Sequence, residues 1–161
     1  MIYDALEVSR HIVNYCNDSK YGMTNLKLQK LLYFIQAYFL IKRGRPCFND
    51  EIEAWDFGPV VPSVYHEYKR YGAFYIFSIK TYIEFDKSNS WNMREVEYKD
   101  NIINEKDKKL INEVVNAFSN YSASDLVSLT HAQDPWKNAY KSRQSNVITK
   151  KAIEEFFNGK K

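Results

Sequence analysis

The run Met23–Tyr38 and the residues just after it constrain this chain more than any other part of it. Leu28, Leu31, Leu32, Ile35 and Phe39 recur at three- and four-residue intervals, the spacing of one helix face. Tyr33, Phe34, Ala37, Leu40 and Ile41 spread the apolar surface well beyond that stripe. A helix apolar over most of its circumference has no place on a surface and must be covered on several sides. Thr24 is placed to cap its first turn, and Gly44-Arg45-Pro46 stops it. The expected fold is therefore mainly α: one helical domain over 1–161 around a central buried helix, with a small antiparallel β element.

The flanking patterns supply the cover. Ala5 to Tyr15 reads as an amphipathic helix, with Leu6, Val8, Ile12, Val13 and Cys16 on one stripe. Ile52 to Phe57 alternates in part and predicts a short strand. Gly58-Pro59 turns the chain into a helix over Val60 to Tyr71, with Pro62 in its first turn. Ala73 to Phe85 is rich in aromatic and β-branched residues and favours strand, whereas Ser88 to Tyr98 shows no clear period. Lys106 to Phe118 is a helix with Leu110, Ile111, Val114 and Val115 on one face. Ser122 or Ser124 caps a shorter one, Asp134 and Pro135 open another as cap and first residue, and Thr149 caps the last.

Composition narrows the class. Thirteen Tyr, ten Phe and three Trp suit a small core built from rings, and the same rings serve as binding anchors. A net charge of +3 with interspersed signs lacks the concentrated basic face that nucleic acid asks for. Lys150-Lys151 and Lys160-Lys161 read as a solvated helix face and a loose tail. Cys16 and Cys47 are isolated thiols that suit a reducing compartment. Met1 to Arg10 carries Asp4, Glu7 and Arg10, unlike a signal peptide, and no apolar run approaches the roughly 20 residues of a membrane span. The expected location is the cytoplasm.

Candidate chemistry is sparse. His131 sits three residues before Asp134, but no third or fourth ligand has zinc spacing, and no strained nucleophile turn is present. His131 is expected to hydrogen-bond around the start of the Asp134 helix, and His11 and His66 to lie on the surface. Lys27 and Lys30 lack the glycine-rich loop of a phosphate cradle, so they are expected to lay long stems over the buried helix. No cofactor or metal is expected. A small hydrolase or nucleotide enzyme stays open as the alternative outside binding proteins, since catalytic groups need not adjoin in sequence.

Three ordered segments carry a resemblance. They are Thr24-Asn25-Leu26-Lys27-Leu28-Gln29-Lys30-Leu31-Leu32-Tyr33, then Glu53-Ala54-Trp55 leading into Gly58-Pro59-Val60-Val61-Pro62, then Val64-Tyr65 and Tyr71-Gly72. Leu129-Thr130-His131 and Asp134-Pro135-Trp136 close the pattern. Over roughly residues 4–140 the chain resembles the Panacea antitoxin domain, also called GepA-like or SocA-like.

That resemblance implies an antitoxin of a two-gene system, often carried by phages or mobile elements. It would neutralise a cognate toxin, expected from the adjacent gene, by direct protein binding. One SocA-like relative is similar to a proteolytic adaptor, so delivery of the toxin to a protease is the alternative. Many members carry a DNA-binding domain ahead of this one; here the domain begins almost at Met1, which makes promoter binding doubtful. Within the signature, Thr24, Lys27, Leu28, Gln29, Lys30, Leu31, Trp55, Gly58, Pro59, His131, Asp134 and Trp136 are expected to be scaffold. Toxin contacts are expected outside it, at Tyr75, Phe77 and Tyr82. The Phe74–Phe85 segment would present them on a free edge or, equally, pack as a strand beside Ile52–Phe57.

Overall fold

The computed structural model describes residues 1–89 and 91–159; Lys160 and Lys161, taken above as a loose tail, lie outside the described residues. Helix α1 (Ala5–Asp18) starts on a capping box of Asp4 and Glu7 and buries Ala5, Val8, Ile12, Val13 and Cys16. Helix α2 (Asn25–Arg43) follows, with the Thr24 hydroxyl accepting from the Lys27 amide as expected. It ends at Gly44, whose φ of 66° is the left-handed turn that glycine adopts without strain.

Leu28, Leu31, Leu32, Tyr33, Ile35, Ala37 and Phe39 are all fully buried, so α2 is the central helix its apolar circumference demands. Helices α3 (Pro62–Tyr68), α4 (Glu105–Ala117), α5 (Ala123–His131) and α7 (Lys150–Asn158) pack around it together with α1. A short helix α6 (Asp134–Ala139) joins α5 to the final segment. Ser122 caps α5 in a capping box with Asp125, and Thr149 caps α7.

Two small sheets complete the fold. The first has the order β2-β1-β5, all antiparallel, from β1 (Ile52–Trp55), β2 (Gly58–Val60) and β5 (Asn146–Ile148). Its register sets Glu53 opposite Val60 on one side and opposite Val147 on the other. The second is a hairpin of β3 (Thr81–Phe85) and β4 (Met93–Glu97), with Phe85 opposite Met93 and Ile83 opposite Glu95.

Several expectations need correction here. Residues 73–85 do not pair with Ile52–Phe57, because β1 has both edges taken, by β2 and by β5. Only Thr81–Phe85 is strand, and its partner lies in the stretch that shows no period. Gly58-Pro59 is part of β2 rather than a plain turn, since its neighbour β1 supplies the ladder. Asp134 does not cap α6; Gln133 holds that position without a side-chain bond, and Asp134 is already helical.

One buried carboxylate ties the far end together. Asp107, in the first turn of α4, accepts from Tyr3 Oη at 2.7 Å, Arg45 Nη2 at 2.7 Å and Arg43 Nε at 3.4 Å. Burial opposes its charge, but these bonds prevail and hold its carboxyl below the ordinary range.

Candidate functional site

The signature residues on α2 act as a substitute strand. Strand β2 has β1 on one side, and its other edge meets α2. There Gln29 Oε1 accepts from the Val61 amide at 2.9 Å, and Lys30 Nζ donates to the Pro59 carbonyl at 2.9 Å. Six residues on, Gln36 accepts from the amides of Cys47 and Phe48 and donates to the Phe48 carbonyl. Asn25 continues the series, accepting from Gln29 and donating to the Tyr65 carbonyl. Buried backbone groups demand partners, and helix side chains provide them here in place of a sheet.

Lys30 is thus no surface-seeking stem. It is completely buried, its ammonium donates to a neutral carbonyl and has no ion pair among the described residues, and burial pulls it down to about 7. Lys27 is likewise buried, with Nζ 3.4 Å from the Ser119 carbonyl. Gly58 explains the close fit: at φ 105°, a Cβ there would stand 2.7 Å from Lys30 Cε and 2.9 Å from Thr130 Oγ1. The sequence reading missed this arrangement because lysine ordinarily reaches for solvent.

A ring stack holds the β1–β2 turn. His131 stacks on Trp136 with centroids 4.0 Å apart, and Trp136 stacks on Tyr140 at 4.5 Å. Trp136 Nε1 donates to the Trp55 carbonyl at 2.8 Å, and Tyr140 Oη donates to Asp56. The expected hydrogen bond of His131 is replaced by stacking, and its buried Nε2 finds no partner among the described residues. His11 is also not at the surface: it is 7% exposed, with Nε2 2.8 Å from Asn112 Oδ1, and burial lowers its pKa. His66 is exposed, as expected.

Residues 74–97 are built in the opposite manner. Phe74, Tyr75 and Phe77 are 81%, 64% and 75% exposed around a buried Ile76. Their backbone is strapped to α1, for Asn14 both accepts from and donates to Ile79, and Asn17 donates to the Ile76 carbonyl. The Ile76 amide donates to the Met23 carbonyl. Neither bond is legible in the sequence, where a polar residue on a helix face or near its end reads as merely solvated or as a helix stop, and Asn17 in fact lies within α1.

In the hairpin, Ile83, Phe85 and Met93 face outward, and Trp91 in the turn is 90% exposed. Tyr82 lies on the opposite face, half-buried, with the Arg10 guanidinium 3.5 Å from its ring centre. The structure therefore groups Tyr75 with Phe77 on an outward strip and turns Tyr82 toward α1. Among the described residues no His, Cys, Asp and Glu grouping could hold a metal ion, and no helix is long and apolar enough to cross a membrane.

Comparison with known proteins adds the family. The description "Antitoxin SocA-like, Panacea domain" matches residues 28–137. Antitoxin SocA of Caulobacter vibrioides (strain NA1000 / CB15N) is 39% identical over 115 residues, 71% of this chain and 58% of that relative. The match thus spans a little over half of the relative's length. No solved structure matches the chain significantly. The matched span runs from the buried leucines of α2 through the clamped turn to Trp136, and by it the chain belongs to the SocA-like Panacea antitoxin domain family.

Proposed function

We propose that this protein is an antitoxin that silences a cognate toxin, encoded beside it, by binding it directly. The observation that carries the reading is the concentration of outward rings and aliphatic groups at Phe74, Tyr75, Phe77, Ile83, Phe85, Trp91 and Met93, with the backbone at Ile76 and Ile79 tied to α1 by Asn17 and Asn14. A rigid aromatic surface loses little entropy on binding, and a few such anchors dominate an interface of about 800 Å² per partner. Tyr75, Phe77 and Phe85 are the contacts in this reading, with Tyr82 fixing the hairpin against Arg10 from behind. The signature residues serve as the scaffold that such a surface is mounted on.

Co-expression of the neighbouring gene with and without this chain, followed by co-purification, tests the proposal. Restored growth with a stable complex is the expected result. Restored growth with loss of the toxin protein would replace inhibition by delivery to a protease. A neighbour whose toxicity is untouched would overturn the antitoxin reading.

A further inference from the structure

Beside the clamped turn lies a cleft of about 760 Å³ that the aromatic strip does not enter. Trp55, Phe57 and Tyr65 line it, with Trp55 and Tyr65 edge to face at 5.0 Å. Phe57 is 67% exposed at the tip of the turn that Trp136 and Tyr140 hold in place. An exposed ring on a braced turn is a preformed contact rather than a loose end. Lys69 and Arg143 also line the cleft, and neither has an ion pair among the described residues. The carboxylate of Asp56, the acidic group in this lining, is engaged by the Tyr140 hydroxyl. The cleft therefore offers apolar ring surface together with two cations against one carboxylate, which the Tyr140 hydroxyl orients without removing its charge.

We propose that this cleft receives an extended acidic segment of the partner protein, its apolar side chains against Trp55, Phe57 and Tyr65 and its carboxylates paired with Lys69 and Arg143. The source of the segment, the toxin, rests on the antitoxin reading above; the chemistry of the cleft does not. Charge complementarity selects the occupant. Two cations facing the single carboxylate of Asp56 leave a net positive charge that suits a further carboxylate, whereas a nucleic-acid strand calls for a longer basic track along its phosphates. The site would act as a second anchor, distinct from the strip on residues 74–93, and two linked anchors raise affinity without enlarging either.

The test uses the isolated isotope-labelled protein and its three indole signals. The probes are an acetylated hexapeptide alternating glutamate with leucine, its lysine–leucine counterpart, and oligouridylate. The acidic peptide should shift the Trp55 signal and leave Trp91, which lies outside the cleft, unmoved. Lys69→Glu with Arg143→Glu should weaken that binding about tenfold, and the milder Lys69→Gln with Arg143→Gln by less. An unmoved Trp55, an equal response to both peptides, or a response to oligouridylate alone would each overturn the inference. With the toxin, a charge-reversed variant that binds as tightly as wild type would overturn the cleft while leaving the antitoxin reading intact. Absence of any wild-type complex would instead sink the antitoxin reading, and the peptide titration would still decide the cleft.

Discussion

Residues 25–61 and residues 74–97 spend the same kinds of side chain in opposite ways. In the first region, polar groups point inward: Gln29, Lys30 and Gln36 are buried and bonded to backbone. In the second, apolar groups point outward, with Phe74, Phe77 and Trp91 the most exposed large apolar side chains among the described residues. Each inverts the usual partition of polar and apolar residues. The first inversion is satisfied within the chain and fixes a geometry. The second is left open, and in the proposed function it is the surface that meets the toxin.

Substitutions at the two regions should separate stability from binding, beginning with the largest effect. Leu31→Ala removes a fully buried side chain from α2 and should cost about 2–5 kcal/mol, read from the urea midpoint. A loss below about 1 kcal/mol would show that this helix is not the centre of the core. Gly58→Ala forces a Cβ against Lys30 and Thr130 at a positive φ, and about 1–3 kcal/mol is expected from strain alone. Rescue by shortening Lys30 would confirm the contact, and an unchanged midpoint would refute it.

The buried lysine gives the third test through pH. Folded, Lys30 titrates at about 7 against an ordinary 10.5, so between those values the unfolded chain binds the extra proton. Its contribution to stability therefore rises as pH climbs from about 7 toward 10.5, and is least below 7. Lys30→Met should flatten that part of the stability profile; a profile with the same slope would show that Lys30 titrates normally. Smallest for the fold are Phe77→Ala and Phe85→Ala, which should change stability by no more than about 0.5 kcal/mol. The same two changes should weaken toxin binding about tenfold, measured by calorimetry. Lost stability with retained binding would reverse the contrast between the two regions.

The contrast also marks what was legible in the sequence. The α2 stripe, the caps at Thr24, Ser122 and Thr149 and the stop at Gly44 depend on residues within a few positions of each other, and all were readable. Strand β5 was not, because three residues take their meaning from β1, more than ninety positions earlier. The hairpin was hidden for another reason. Its outward face mixes Ile83 and Phe85 with Glu95 and Glu97, which blurs alternation on a sheet with no core beneath it. In the signature, the physical role of Lys30 was not legible, since its burial depends on a glycine and a carbonyl supplied by another element.

The bonds from α2 to the extended chain that follows it bear on the order of assembly. Gln36 reaches Cys47 and Phe48 over 11 and 12 positions, Lys30 reaches Pro59 over 29, and Gln29 reaches Val61 over 32. Closing such loops costs less entropy than closing the 81-position loop from Trp136 back to Trp55. A unit from α2 to α3 can thus gather early, while β5 and α7 dock late and seal the sheet. As the chain leaves the ribosome, the half bearing α2 is made first, so its buried lysine meets its carbonyl before the closing helix exists.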